Sequence, residues 1–352
     1  MPQRNVLVLA GGRGERFWPW STAERPKQLL PLASGGRTLL AATLERALML
    51  TEPSRVLVLT AASLAAAVRR ECAPFGVQVA GEPMMRNTAA AIGAAAAWFL
   101  GDGIDPAFAV LPSDHAIEDL TAFESDMRRA FEIAEREPVL VTFGIRPREP
   151  DTNFGYIRAG SVVAPRISRV AQFTEKPDRS RAAEWVASRE YLWNSGMFVW
   201  RSSVFLTALE SSRPTLAGPL RRLQRPGDAL AFERGLSDVF PGLESVSVDY
   251  AVLESALNTL MIEASFDWDD LGSWQAWARR QPHDARGNVT FGDAIALDCE
   301  RCIVVGDGGL AAALALRDMV VVHVNGATLA CRTEDLERVR AVSEAARARN
   351  AG

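Results

Sequence analysis

Strand-like and helix-like runs alternate from the first residues of the chain, and that alternation restricts the fold more than any other feature. Residues 5–9 and 55–60 are short strand-like runs with Val or Leu at every position except their polar ends, while 38–50 and 62–72 carry apolar residues at helical spacing. The order is therefore βαβα. It continues with strand-like runs at 107–111 and 138–145 and a helix over 119–137, in which Phe123, Met127, Ala130, Phe131 and Ala134 share one face. Strands that are apolar throughout and separated by helices belong in a mostly parallel sheet covered on both faces. The chain is thus expected to be α/β, a three-layer α/β/α architecture on a mainly parallel sheet. Ligands of such sheets bind beyond the carboxyl ends of the strands, so function is sought in the loops that follow them.

Beyond about residue 285 the texture changes. Short strand-like pieces at 288–296, 302–305, 310–316, 319–324 and 327–331 follow one another without helices between them. The expected organisation is a domain over 1–285 and a small β domain over 286–352. The second ends in a helix, 333–349, with Thr333 as N-cap and Glu334 and Asp335 in the first turn. At roughly 150 residues per domain, a length of 352 residues suits about two domains, or one large domain with an appendage.

The formal net charge of -4 comes without any basic block, so no nucleic-acid partner is expected. The longest apolar stretch, 89–100, is mostly Ala and much shorter than the roughly 18 residues of a membrane span. The amino-terminal residues lack the apolar core and cleavage site of a signal peptide, and a cytoplasmic location with no membrane partner is expected. Of the 4 Cys, only Cys299 and Cys302 form a CxxC pair. With no second pair and no close His, they read as small buried residues of neighbouring strands rather than zinc ligands. The 3 His form no Ser/His/Asp or Cys/His arrangement. Arg has displaced Lys almost everywhere, since 37 of the 39 basic residues are Arg and the only lysines are Lys27 and Lys176. A chain that strips lysine so thoroughly keeps it where a compact ammonium is needed and a broad guanidinium fork will not serve.

The first strand runs into Leu9, Ala10, Gly11, Gly12, Arg13 and Gly14, followed by Arg16 and then Lys27. Three glycines in four positions let backbone amides approach a phosphate chain closely. The dinucleotide fingerprint GxGxxG fails, because Phe17 stands where the third Gly belongs. The P-loop fails too, for want of Gly-Lys-Ser/Thr. What remains is a Gly-rich turn with two cations on one connection. An ordinary tight turn explains the glycines, but Arg16 and Lys27 favour a phosphate ligand.

This stretch, LAGGRGERFWPW with RPKQLLPL, resembles the signature of the sugar-nucleotide pyrophosphorylases, and most nearly that of the mannose-1-phosphate guanylyltransferases. Seven further segments resemble that family in the expected order, so the likeness covers nearly the whole chain. They are Glu82-Pro83 with Arg86-Asn87-Thr88-Ala89, then Leu111-Pro112-Ser113-Asp114-His115, Phe143-Gly144-Ile145 and Phe154-Gly155-Tyr156-Ile157. Phe173-Thr174-Glu175-Lys176-Pro177, Trp193-Asn194-Ser195-Gly196-Met197-Phe198 and the run from Phe266 through Asp267, Trp268, Asp269, Asp270, Leu271, Gly272 and Ser273 to Trp274 complete the set. Two departures are visible: Asn153-Phe154 where the family more often has Gly-Tyr, and Arg13-Gly14-Glu15 where it often has Ser-Gly-Thr. Neither removes a charged group, so they bear on fine specificity.

The resemblance implies a Rossmann-like fold of the nucleotide-diphospho-sugar transferase type, with a C-terminal segment like a short left-handed β-helix. It implies magnesium-dependent transfer of GMP from GTP to α-D-mannose 1-phosphate, giving GDP-mannose and pyrophosphate by direct in-line attack of the sugar phosphate on the α-phosphorus. The substrate is itself the nucleophile. Such an enzyme must hold two anions, neutralise charge as it spreads and bind Mg2+, without a covalent intermediate. Asp114 and Asp270 are the implied magnesium ligands, a sensible count for an ion that takes few carboxylates plus phosphate oxygens and water. Read alone, Asp114 is equally a helix N-cap and Asp270 a turn residue.

By the same resemblance Lys27 reaches the α-phosphate, Arg16 clamps the outgoing pyrophosphate and Lys176 binds the phosphate of the sugar. Leu9, Ala10, Gly11, Gly12, Arg13, Gly14, Glu82, Asn87, Thr88 and Ser113 are implied nucleotide contacts. Gly155, Tyr156, Glu175, Asn194 and Tyr250 are implied sugar contacts, a structural salt bridge being the rival role for Glu175. His115 reads as a packing neighbour of Asp114 rather than a general base. Two alternatives stand beside this function: nucleotidyl transfer to another sugar 1-phosphate such as a heptose, and a non-catalytic GDP-mannose-binding regulatory homologue. Retention of Asp114, Asp270, Lys27, Lys176 and Arg16 together weighs against the second. Many bacterial relatives carry an added isomerase domain for which 352 residues leave no room, so a monofunctional enzyme is expected. The apolar patch 319–322 suits a homodimer contact and a buried core alike.

Overall fold

The structure, a computed structural model, describes residues 3–12, 14–101, 104–223 and 228–350. It divides into two compact units. The first comprises Met1–Gly11, Ala41–Ser113 and Ile117–Trp268, and the second Gly12–Leu40, Asp114–Ala116 and Asp269–Gly352.

The first unit is built on a nine-stranded sheet. Its strands are β1 (Arg4–Leu9), β2 (Val56–Ala61), β3 (Gln78–Glu82), β4 (Ala107–Pro112), β5 (Leu140–Ile145), β6 (Tyr156–Ala164), β7 (Ile167–Thr174), β8 (Tyr191–Arg201) and β9 (Thr259–Glu263). They lie in the order β3-β2-β1-β4-β8-β5-β9-β7-β6, with β8 also pairing β6. The expected α/β architecture is present. β1, β2, β3 and β4 pair in parallel, as does β5 with β9, but β8 runs antiparallel to β4 and β5, so the sheet is mixed. The cause is local. β6 and β7 form a hairpin whose turn places Arg166 at φ 62°, and a hairpin reverses the chain where a helix would restore its direction.

Helices cover this sheet as the periodicity predicts. Leu120–Arg136 buries Phe123, Met127, Ala130, Phe131 and Ala134, and the Asp119 side chain caps its first turn by accepting from the Ala122 amide at 3.0 Å. The helix Asn87–Phe99 is buried from Ala89 to Ala97, which explains its composition. It packs on Ser202–Ser212 and Pro214–Leu220, and a Cβ at Gly93 would lie 2.6 Å from a Leu220 methyl carbon, so small residues set the approach.

The second unit holds a four-stranded sheet of β10 (Val289–Leu297), β11 (Ile303–Leu314), β12 (Met319–Val324) and β13 (Ala327–Arg332). The first three are parallel, stacked in register as Val289, Ile303 and Val320, and β13 closes antiparallel on β12. Gly292 has a φ of 69°, and a Cβ there would lie 2.0 Å from the Gly306 carbonyl oxygen, so the bulge between β10 and β11 requires glycine. Val320 and Val322 of the apolar patch point into a core that also takes Phe17, Trp20, Trp274 and Trp277. Trp20 stacks on Trp274 at 5.7 Å and donates its indole N–H to Asp307 at 2.7 Å. The segment after Gly12 is thus folded onto the same core as the C-terminal strands. Thr333 does not cap the last helix: a 3-10 turn, Thr333–Arg338, precedes the α-helix Val339–Asn350. Among the described residues no helix is long and apolar enough to cross a membrane.

Candidate active site

In the second unit, a two-residue bridge brings the acidic loops together. The Ala116 amide donates to the Asp269 carbonyl at 2.8 Å and the Asp269 amide donates back at 3.1 Å, which aligns Asp114 with Asp270. Asp269 itself is buried and accepts from the Leu271 amide at 2.9 Å, holding the turn that carries Asp270. Lys27, only 7% exposed, donates to Asp114 Oδ2 at 2.9 Å and to the Asp270 main-chain carbonyl. One ammonium therefore ties both acidic loops. Its place is fixed by the turn Lys27–Leu29 behind Pro26 and by Gly14, whose φ is 60°. A Cβ at Gly14 would lie 2.3 Å from Lys27 Cβ.

The two carboxyl groups respond differently to these surroundings. Burial works against charge on Asp114, but Lys27 and then His115 hold it below its ordinary value. Burial pushes Asp270 up, and the negative neighbours Asp269 and Asp114 add to that against the pull of Lys27. The His115 Nε2 sits 3.9 Å from Asp114 Oδ1. Gly14, Arg16, Lys27, Asp114 and Asp270 line one cavity of about 380 Å³. Among the described residues no three His, Cys, Asp or Glu converge as a metal cage. Asp114 and Asp270 instead offer a hard-oxygen pair, the donor set of a magnesium ion completed by substrate phosphates. Arg13 lies outside the described residues.

In the first unit, the predicted nucleotide contacts collect at the carboxyl ends of β1, β3 and β4. The Ser113 amide donates to the Leu9 carbonyl at 3.0 Å, the Ala10 amide to the Leu59 carbonyl at 2.7 Å, and the Thr60 hydroxyl to the Ala10 carbonyl at 2.9 Å. A Cβ at Gly11 would come within 3.8 Å of Glu82 Oε2. Glu82 is buried, its Oε1 has no hydrogen-bond partner, and burial pushes its pKa to about 7. Asn87, at φ 64°, opens the Ala-rich helix, and the Thr88 hydroxyl is engaged by the Val248 amide at 2.8 Å.

The predicted sugar contacts also meet in the first unit. Asn194 of β8 donates its main-chain N–H to the Gly155 carbonyl at 2.8 Å and its side-chain amide to Asp249 at 3.0 Å. Lys176, at φ 47°, pairs with Glu175 at 2.6 Å, and a Cβ at Gly155 would lie 2.5 Å from Glu175 Oε2, so glycine admits the carboxylate. Burial opposes the charge of Lys176, yet Glu175 and Asp249 carry its pKa upward. Tyr156 is fully buried with its hydroxyl committed to the Asp151 carbonyl at 3.0 Å, whereas Tyr250 is half exposed. Phe154 packs on Trp193 and Trp268 at 4.9 and 5.4 Å. Asp249 is the residue the sequence reading missed. Burial and then the Glu175 carboxylate push it to about 7, and its only sequence signal is its place beside Tyr250. Cys299 and Cys302 are buried with Val304, Ala311 and Ala313.

Comparison with known proteins identifies the relatives of the chain. Residues 5–287 match the family described as Nucleotidyl transferase, and residues 292–345 match the MannoseP isomerase/GMP-like beta-helix domain. The chain is 37% identical over 340 residues to the Xanthan biosynthesis protein XanB of Xanthomonas campestris pv. campestris, covering 96% of this chain and 72% of that protein. It is 36% identical over 344 residues to the Mannose-1-phosphate guanylyltransferase of Escherichia coli, covering 96% and 73%. A crystal structure described as mannose-1-phosphate geranyltransferase from Thermus thermophilus is 33% identical and superposes with a TM-score of 0.87 over 98% of this chain and 99% of that one. With a family match across most of the chain and relatives above one-third identity over nearly all of it, the chain belongs to the nucleotidyl transferase family, in its mannose-1-phosphate guanylyltransferase group.

Proposed function

We propose that the protein transfers GMP from GTP to α-D-mannose 1-phosphate, giving GDP-mannose and pyrophosphate with Mg2+ as cofactor. The observation that carries this reading is the tie of Lys27 to Asp114 and to the Asp270 loop, in a cavity shared with Gly14 and Arg16. A phosphate oxygen of the sugar attacks the α-phosphorus, the α–β bridging P–O bond breaks, and pyrophosphate leaves with that electron pair. The nucleophile is already an anion, so no side chain need remove a proton. Asp114 and Asp270 would hold magnesium, which supplies charge neutralisation for the phosphates. Lys27 sits against both acidic loops and takes charge from the α-phosphate as it builds up. Arg16 offers a two-pronged donor to the leaving phosphates. Lys176 and Glu175 serve the sugar phosphate and the sugar hydroxyls. Asn194, braced by Gly155 and Asp249, orients the same pocket. The unpartnered Glu82 oxygen is suited to accept an N–H of the base.

The test is pyrophosphate release with Mg2+, crossing GTP, ATP, dTTP and UTP with mannose, glucose and heptose 1-phosphates. Selective turnover of GTP with mannose 1-phosphate is expected. Preference for another pair, or GDP-mannose binding without turnover of any pair, overturns the reading.

A further inference from the structure

The cavity that holds Lys27, Asp114 and Asp270 is lined from one more direction. Arg340, the second residue of the C-terminal helix Val339–Asn350, borders it together with Arg16 and Gly14. Its position is anchored. Val339 is 2% exposed within the core that contains Phe17 and Trp274, and the helix packs on the Glu15–Phe17 turn that carries Arg16. The Arg340 Nε donates to Glu344 Oε1 at 3.1 Å, one turn on, while the side chain stays 67% exposed. The charge balance gives this position meaning. Among the described residues the cavity is lined by three cations, Lys27, Arg16 and Arg340, and two carboxylates, Asp114 and Asp270. A planar guanidinium meets two phosphate oxygens at once, which suits a polyphosphate better than a single carboxylate.

We propose that Arg340 is a phosphate-binding residue, whose guanidinium engages the terminal phosphates of GTP, the pair that departs as pyrophosphate. The inference rests on the guanylyl-transfer reading above for the identity of the nucleotide. It makes the C-terminal helix a contributor to the nucleotide site rather than a cap on the β domain.

The test compares the full chain with Arg340→Ala, Arg340→Lys and Arg340→Glu. Steady-state kinetics give KM for GTP and for mannose 1-phosphate, and calorimetric titration with magnesium pyrophosphate reads the site without turnover. Loss of a charge-assisted contact is expected to raise KM for GTP and weaken pyrophosphate binding about tenfold in Arg340→Ala. Arg340→Lys should recover part of that loss and Arg340→Glu should exceed it. KM for mannose 1-phosphate and the thermal midpoint should stay near wild type, because the side chain is largely exposed. Pyrophosphate affinity unchanged in Arg340→Ala, or equal rises in both KM values, overturns the proposal. Should the wild type turn over no substrate pair, the guanylyl-transfer reading fails by itself, and the pyrophosphate titration still decides the role of Arg340.

Discussion

Gly14→Ala probes whether the glycine-rich turn serves chiefly to seat Lys27. The substitution meets two costs in the structure. The backbone at Gly14 has φ 60°, and a left-handed conformation costs an L-residue roughly 1–2 kcal/mol. The added methyl would also lie 2.3 Å from Lys27 Cβ and 2.5 Å from its main-chain N, where real contacts are not below 3.0 Å. Opening that overlap moves the turn or Lys27 by at least about 0.7 Å, the difference between 3.0 and 2.3. Displacement on that scale of a group that must meet a transition state costs about 100-fold in rate. The expected result is a loss of about 100-fold in kcat/KM for GTP together with roughly 1–3 kcal/mol of stability. Pyrophosphate release and urea unfolding at one pH measure both. Gly12→Ala is the stability control, since a Cβ there meets nothing within 4 Å, and its unfolding free energy should stay within about 0.5 kcal/mol of wild type. A Gly14→Ala protein with wild-type stability and turnover refutes the argument.

Asp270→Asn should lose magnesium-dependent turnover by at least about 100-fold while unfolding no earlier than wild type at neutral pH, because burial already disfavours its charge; near-normal turnover removes Asp270 from the metal site. Lys176→Ala should raise KM for mannose 1-phosphate far more than for GTP, and equal effects would move it out of the sugar-phosphate pocket. Glu82 is raised from 4.5 to about 7 in the fold, so the folded state binds the extra proton and stability falls as pH rises between those values. Glu82→Gln should flatten that decline, by up to roughly 3 kcal/mol, in urea titrations across the window; an unchanged slope shows that Glu82 does not titrate there.

The α/β class was legible because β1, β2, β4 and β5 have apolar centres with amphipathic helices among their connections, whereas β3, QVAGE, carries no such run. β8 was not, since nothing local in Tyr191–Arg201 says that its neighbours are β4, β5 and β6. Direction in a sheet follows from the connection, and the β6–β7 hairpin that reverses it turns on Arg166, a residue without a turn signature. At the site, the two lysines stood out because the rest of the chain avoids lysine. Arg340 could not, being one arginine among many whose importance lies only in where Val339 anchors it. Asp249 was hidden for a related reason. Its partner Asn194 is 55 residues away, and burial rather than motif gives it its character.

The scarcity of lysine also has a physical resolution at Lys27. The side chain is 7% exposed, lies 2.9 Å from Asp114 and also reaches the Asp270 carbonyl. A guanidinium brings five donors in a rigid plane, and a buried site that offers one carboxylate oxygen and one carbonyl would leave several of them unsatisfied. An ammonium has three donors that rotate to suit, so two can hold the acidic loops while the third is open to an incoming phosphate. Arg16 lies exposed on the same cavity, where a planar fork meets no such restriction. Within this cavity, then, the buried cation is the one whose donors can rotate onto the two acidic loops, and the exposed cation is the one with the rigid fork.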